Sequence, residues 1–524
     1  VCLILSHLGM AYGQGTFNKR YGSMFMDYAN RAIETSQGDH LVVGRSFGFG
    51  SASNAVVMKL DAMGEPIWTR DYAGINADEA FDVLENKARE ILVCGGTFSQ
   101  GAGNWDGFIM KLDSTGNMLW GRTYGNEYGD IIYKLIEAGS GGYLSLGYAQ
   151  SPSVSGSQGT LLMKLDANGD VLWERYVLDG WTPQQQGWHP HDVALFPDGD
   201  ILLTSLNSAN GNHLNLWRIT STGQVVWSRA YFVRSQGHRL AVDGAGNIYV
   251  TCLELEGVAL SLDMAVLKLD GSGNVLWFKS YGGTYMDKAR DIIIASDGDP
   301  VICGLTNSSG HGDYDAFLLK INGNGAVQWC KTYGGVWPDI PGSLHETHDR
   351  GFIMAGETYS FGTNPDSLKM YVVRTDSLGN TSCNSMDWEL IQMDGSVTPL
   401  TPMILSALQQ QQGSITWPSN HRTFSTASIC DVTSISGSGE RDARISVHPN
   451  PFDRSIGVSL PQGSNAGIEI RVTDLLGRAV FEYRDPPTLL TGTRNFDLGH
   501  LPSGVYLMVV RIDEQASTLR IVKE

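Results

Sequence analysis

The segment KLDANGDVLW at 164–173 decides the fold, because the chain repeats it. KLDAMGEPIW ends at Trp68, KLDSTGNMLW at Trp120, RITSTGQVVW at Trp227, KLDGSGNVLW at Trp277 and KINGNGAVQW at Trp329. A seventh copy, RTDSLGNTSC, ends at Cys383, and successive copies are 50–54 residues apart. A tyrosine stands four residues after five of these tryptophans (Tyr72, Tyr124, Tyr231, Tyr281 and Tyr333) and three after Trp173, at Tyr176. FNKRYG, from Phe17 to Gly22, matches the end of a repeat that has no beginning. Self-similarity at this period marks a repeat architecture.

One repeat is legible strand by strand. Residues 288–333 read KARDIIIAS, PVICGLT, DAFLLKIN and AVQWCKTY, each run apolar or alternating and bounded by Gly and Asp turns. That is strand and turn chemistry, and four strands per repeat, unable to bury both faces alone, predict blades stacked around an axis. Inner strands are expected from near Arg31, Phe81, Ile131, Asp192, Arg239, Asp291 and Leu344, and outer strands end at the tyrosines. The expectation is an all-β chain: a seven-bladed β-propeller over residues 14–383, closed by pairing Phe17–Gly22 with the strand near Met370–Thr375. The strand-end Trp and Tyr are expected to pack between blades.

Composition agrees. The 524 residues include 63 Gly, and only 18% are charged, against about 25% in average domains. With 37 Lys+Arg against 55 Asp+Glu the net charge is −18, which disfavours nucleic acid as a partner. No apolar run is long enough for a transmembrane anchor. The opening VCLILSHLGMAYGQG reads as the apolar core and cleavage site of a truncated secretory signal over residues 1–13. Seven cysteines follow no metal spacing. Cys94, Cys252 and Cys303 fall at strand positions as small hydrophobes, and Cys383 with Cys430 is the disulfide candidate. No metal site is expected; the alternatives are a calcium ion at the turn Asp166–Asp170, which lacks the closing Glu of an EF-hand, and a metal on His189 and His191, for which the sequence offers no third ligand.

The face carrying the longer, irregular loops is where a site is expected. Trp105, Trp181, Trp188, His189, His191 and Trp337 map to it as ligand-binding candidates, with packing of the loops on themselves as the alternative. An Asp stands six residues after the tyrosine in five repeats: Asp27, Asp78, Asp130, Asp287 and Asp339. Such a residue reads as a loop brace or as one of a ring of channel-mouth carboxylates that attracts a cation. No nucleophile, metalloprotease or phosphate-loop motif is present, so the catalytic residues are unassigned.

Residues 384–441 are polar and unperiodic and are expected to be a linker or a loose cap on the propeller; 442–524 return to short alternating strands and predict a small Ig-like β-sandwich. Here Pro449-Asn450-Pro451-Phe452, the turn Asp474-Leu-Leu-Gly477-Arg478, LPSGVY with Gly504 and Tyr506, and the terminal IVK resemble the type A C-terminal sorting domain of the type IX secretion system. The repeats in turn resemble those of secreted bacterial β-propellers. They also resemble the tryptophan-docking segments of quinoprotein dehydrogenases, whose eight blades and vicinal cysteines are missing here. The resemblance of the tail implies a Gram-negative exporter, the type IX machinery as partner, and a secreted or outer-membrane surface-attached product. The expected function is a monomeric, non-catalytic binding or adhesion module for a glycan or a surface protein. The alternatives are a secreted hydrolase or lyase using channel-mouth carboxylates, and a structural surface protein.

Overall fold

Short β-forming runs between tight turns leave each repeat only one economical pairing, with its neighbours in sequence. The computed structural model realises it seven times. It describes residues 15–523 except 24, 48–51, 140, 151–157, 182–191, 208–212, 234–238, 255–262, 362–367, 382, 384, 401–404, 407–410, 415–418, 422–424, 429–445, 449–453, 460–464, 474–477, 490–492, 503 and 513–514. The expected signal segment 1–13 therefore lies outside the described residues.

Blade 1 is built from strands A to D at Asp27–Glu34, His40–Phe47, Ser53–Leu60 and Pro66–Tyr72. Blades 2 to 6 repeat this order, with strands A at Asp78–Glu85, Asp130–Ala138, Val193–Leu195, Leu240–Val242 and Asp287–Ile294. Blade 7 takes Asp339–Glu346, Phe352–Thr358 and Lys369–Thr375, and its strand D is Phe17–Gly22 from the other end of the chain. That closing pair is antiparallel, Phe17 opposite Arg374 and Tyr21 opposite Met370. Apolar side chains do not gather in one centre. They form a cluster at each joint between consecutive blades, from Val43, Tyr72, Val93 and Phe108 at blades 1 and 2 to Tyr21, Val56, Ile353 and Val372 where blade 7 meets blade 1. Burial of each such side chain stabilises by about 1.5–3 kcal/mol, so a blade is stable only between neighbours. Cys94, Cys252 and Cys303 lie buried within these clusters, as does Cys330.

In five blades strand A begins earlier than the periodicity indicates, because a β-bulge interrupts it. The register slips between Ala29 and Arg31, Ala80 and Asp82, Ile132 and Lys134, Ala289 and Asp291, and Pro341 and Ser343. The extra residue breaks the alternation that locates a strand in sequence.

Residues 384–441 are not simply a linker. After blade 7 the chain turns back and runs round the ring in reverse, adding a fifth strand to every blade. Ser385–Asp387 pairs with strand D of blade 6, Ile391–Asp394 with blade 5, Thr398–Leu400 with blade 4 and Leu405–Ser406 with blade 3. Gln411–Ser414, Ser419–His421 and Ser425–Ser428 then pair with blades 2, 1 and 7. Trp388 anchors this belt, 8% exposed, its ring 5.7 Å from Phe317 and its backbone N–H donated to Cys330 O. Cys383, at the head of the belt, is disulfide-bonded; Cys430, its expected partner, lies outside the described residues.

Residues 431–524 form a separate unit. Sheets of three and four antiparallel strands enclose Ile456, Val458, Ile470, Val472, Phe496, Met508 and Val510. Tyr506 donates its hydroxyl to Pro502 O at 2.8 Å, Gly504 opens the strand Gly504–Ile512, and Arg478 is exposed. Pro449, Asn450, Pro451, Asp474 and Gly477 fall outside the described residues.

The belt satisfies strand edges that would otherwise template aggregation. A chain ending at Asn380 is expected to aggregate, whereas one ending at Cys430 stays monodisperse in size-exclusion chromatography with light scattering. Equal behaviour of the two would contradict this role.

Candidate functional site

The repeated motif is explained at the blade joints, and that fixes which residues remain for function. Each turn glycine (Gly64, Gly116, Gly169, Gly223, Gly273, Gly325 and Gly379) has φ between 75° and 83°, a conformation that favours glycine. Its carbonyl accepts a hydrogen bond from strand D of the preceding blade. The donors are the hydroxyls of Tyr21, Tyr72, Tyr124, Tyr231, Tyr281 and Tyr333 at six joints. At the seventh joint Arg175 Nε reaches Gly223 O at 2.8 Å, because Tyr176, one residue out of step, bonds Ala149 O instead. The tryptophans lie over the same turns: Trp173, Trp227 and Trp277 donate Nε1–H to carbonyls of the next blade.

The periodic aspartates are structural in the same way. Asp27, Asp78, Asp130, Asp287 and Asp339 are 0–1% exposed. Each accepts the N–H of the residue four before it: Ser23, Gly74, Asn126, Gly283 and Gly335, at 2.7–2.9 Å. Hydroxyls of Ser46, Thr97, Ser308 and Ser360 add to Asp27, Asp78, Asp287 and Asp339. They brace the D–A loops and are not carboxylates open at the channel mouth. The turn Asp166–Asp170 is likewise self-contained, Asp166 Oδ1 accepting the N–H groups of Asn168 and Asp170. Among the described residues no three His, Cys, Asp or Glu side chains converge as a metal-binding set.

Of the aromatic candidates, Trp337 is 47% exposed at the tip of the loop between blades 6 and 7, its backbone N–H and C=O both bonded to Ser360 Oγ. Trp105 is half-buried beside Phe98, at 6.1 Å between ring centroids. Trp181 ends strand D of blade 3 opposite Gln158, and its side chain is outside the description, as are Trp188, His189 and His191. Sequence reading missed that Trp337 belongs to a series. Two residues before the brace aspartate stand Phe25, Tyr128, Tyr285 and Trp337 in four of the five loops, and Tyr285 is 62% exposed.

Two further layers come from strands A and B. Just beyond the bulges, the ring position holds Arg31, Asp82, Lys134, Asp192, Arg239, Asp291 and Ser343 in blade order, alternating in charge and ending neutral. Arg31 Nη1 lies 2.9 Å from Asp291 Oδ2 and Arg31 Nε 3.4 Å from Asp82 Oδ1, and Lys134 pairs with Asp192. Asp82, Asp192 and Asp291 each also accept a backbone N–H of the next blade, from Leu135, Leu240 and Leu344, at 2.9 Å. Ser343 Oγ does the same for Ala32 at 3.3 Å.

On the loop side of that ring lies a second, irregular cluster. Arg45 Nη1 is 3.0 Å from Glu79 Oε2, with its guanidinium 4.2 Å from the centre of the Tyr28 ring. Asn30 Nδ2 donates to Glu79 Oε1 at 2.9 Å, and Phe81 meets Tyr133 edge-on at 4.9 Å. Burial raises the pKa of Glu79 against the pull of Arg45. Burial also raises Glu357, opposed by Arg290 and Arg45 and assisted by the charge of Glu79. Two carboxyls whose proton affinity burial raises thus stand among arginines and half-buried aromatics in one polar cluster. Buried carboxyls with raised proton affinity beside arginines mark a candidate site.

Comparison with known proteins places the tail first. Residues 446–524 match the secretion system C-terminal sorting domain family. The chain carries a type IX sorting domain and is a secreted or surface-attached protein. No curated protein matches the chain. Among solved structures, a Pseudomonas aeruginosa periplasmic gluconolactonase is 14% identical, with TM-score 0.40, covering 69% of this chain and 98% of that one. A Synechocystis apocarotenoid oxygenase mutant is 11% identical, with TM-score 0.37, over 75% of this chain and 98% of that one. A puromycin hydrolase mutant is 12% identical, with TM-score 0.42, over 71% of this chain; the chain spans 54% of that protein. These likenesses are of fold class alone.

The charge ring gives a stability prediction. Arg31→Met leaves Asp82 and Asp291 facing each other without their shared cation, and is expected to cost about 3–5 kcal/mol. Urea unfolding should show a lower midpoint at unchanged slope.

Proposed function

We propose that the protein is a binding module displayed at or released from the cell surface, which takes a glycan on the face bearing the D–A loops. The observation that carries this reading is the cluster of Tyr28, Arg45, Glu79, Tyr133 and Glu357 on the loop side of the charge ring, the side whose D–A loops expose the rings of Tyr285 and Trp337. Aromatic faces stack on sugar rings, and paired charged groups bridge neighbouring hydroxyls. The tail at 446–524 addresses the chain to the type IX machinery and has no part in ligand binding.

A second reading is a glycan hydrolase or lyase, favoured by one observation: Glu79 and Glu357 are neighbouring carboxyls with raised proton affinity, as acid–base pairs are. It moves the expected carboxylates from the buried braces to this pair.

The full chain, screened against soluble polysaccharides, is expected to retain at least one. Tyr285→Ala with Trp337→Ala should weaken that binding at least tenfold, which is about 1.4 kcal/mol. Binding untouched by this pair and by Tyr133→Ala would refute the assignment of the face. Release of reducing ends, abolished by Glu79→Gln while binding persists, would establish the catalytic reading instead.

A further inference from the structure

Three blade joints hold a second aspartate beside the loop brace. Asp106, Asp263 and Asp315 open strands C of blades 2, 5 and 6. Each meets the brace of the next blade, Asp130, Asp287 or Asp339, across the glycine that follows the strand-D tyrosine. The approach is close. A Cβ on Gly334 would stand 2.0 Å from Asp315 Oδ1 and 2.7 Å from Asp339 Oδ2. One on Gly125 would stand 2.1 Å from Asp106 Oδ1 and 3.1 Å from Asp130 Oδ2. One on Gly282 would stand 2.8 Å from both Asp263 Oδ1 and Asp287 Oδ2. Only a residue without a side chain lets the two carboxyls converge.

The hydrogen bonds show what is missing between them. Asp315 Oδ2 is held by the N–H groups of His311 and Gly312, at 2.8 and 3.1 Å. Asp315 Oδ1, the oxygen aimed at the brace, is buried with no hydrogen-bond partner, and so is Asp106 Oδ1. Asp339 Oδ2 accepts from Gly335 N and Ser360 Oγ but has no donor from the facing carboxyl. Two buried ionised carboxylates repel strongly at such range, and one of them keeps a proton.

The repeat supplies its own control. At the joint of blades 7 and 1 the strand-C position is Lys369, whose ammonium lies 3.8 Å from Asp27 Oδ2 across Gly22. At the joint of blades 1 and 2 it is Asn54, opposite Ser46 as Asp106 is opposite Thr97, with Asp78 the single acid. At the joints where a brace aspartate faces this position and it is not aspartate, it holds a cation or a neutral amide.

We propose that each of the pairs Asp106–Asp130, Asp263–Asp287 and Asp315–Asp339 shares one proton, the strand-C carboxylic acid donating its O–H to the brace carboxylate. The three pairs form a pH-sensitive clasp on the loops that carry Tyr128, Tyr285 and Trp337. Ionisation releases one proton per pair to solvent and leaves two facing anions, which loosens the loop. The clasp stands whether or not those aromatics bind a glycan.

The surroundings are largely neutral. His311 of the B–C loop, Tyr371 of strand C, and Thr358 and Ser360 at the end of strand B face Asp315 and Asp339. Thr306, Ser308 and the Cys330 thiol face Asp287, and Tyr148 faces Asp130. Of these groups His311 is the one whose charge opposes the raised pKa of Asp315. Burial nevertheless raises Asp315 and Asp287 to about 6 and Asp339 to about 7, against their hydrogen bonds. Asp106 is raised by the same cause.

A folded-state pKa above the unfolded value means that the native chain holds a proton the unfolded chain has released. The contribution is complete below about pH 4 and is lost as pH rises through about 6–7. The full chain is therefore expected to lose several degrees of Tm between about pH 5 and about pH 8. Asp315→Asn, which keeps a donor without the charge, and Asp315→Lys, which copies the joint of blades 7 and 1, should both flatten that slope and raise Tm at the alkaline end. Infrared spectra in D2O at neutral pH should show a protonated-carboxyl stretch in the unmodified chain that weakens in Asp315→Asn. A wild-type Tm that does not fall over this range, or the absence of that band, would overturn the proposal. So would a rise in Tm with millimolar calcium that Asp315→Asn abolishes, since the pair would then hold a metal ion in place of a proton.

Discussion

The hydrogen bond from one blade's strand-D side chain to the next blade's turn glycine is the interaction on which the ring depends. It occurs at all seven joints, six times from a tyrosine and once from Arg175. A single bond of this kind contributes about 0.5–1.5 kcal/mol, much less than the apolar cluster beside it. Its role is register. Burial is non-directional and tolerates sliding of one sheet over another, whereas a hydroxyl that must meet one carbonyl fixes both height and angle. The glycine is required twice over: for its positive φ, and because a Cβ at Gly64, Gly169 or Gly325 would stand 2.8–2.9 Å from the tyrosine oxygen. The constant spacing inside each repeat follows from these two contacts.

A ring of seven blades imposes a second constraint near the axis. Charges can alternate without conflict only around an even ring. Here Arg31, Asp82, Lys134, Asp192, Arg239 and Asp291 alternate, and Ser343 occupies the odd place. Arg31 reaches past that serine to Asp291, so the sequence of charges closes with no like pair adjacent. The aspartates bond backbone and side chain of neighbouring blades together, which makes the layer a seam as well as an electrostatic belt. The proposed site lies on the loop side, where the blades cease to resemble one another.

Legibility in the sequence follows periodicity. The Lys-Leu-Asp turn, the Trp and the Tyr recur, so blade number, closure by Phe17–Gly22 and the packing role of the aromatics can be read from the residues alone. The brace aspartates are equally periodic, and their spacing leaves two readings that only the hydrogen bonds separate. The belt has no such signature. Its strands are two to four residues long, and only backbone bonds to an outer edge hold most of them, so no alternation marks them. Glu79 and Glu357 are hidden for the opposite reason. Strand positions that match Glu79 in other blades hold Tyr28, Ile131, Lys288 and Ile340, and a proposed site made by breaking a repeat leaves no repeat to find. The tail is legible because several separated motifs must agree in order and spacing.

The most direct test of the account is the loss of one joint hydroxyl. Tyr333→Phe keeps the ring and the apolar contacts and removes only the bond to Gly379 O, 2.6 Å long and buried. Urea unfolding of the full chain should show a loss of about 1–3 kcal/mol, the cost of an unsatisfied buried acceptor, with the denaturant slope unchanged. A variant as stable as the parent, to within a few tenths of a kcal/mol, would show that apolar packing alone sets the joints.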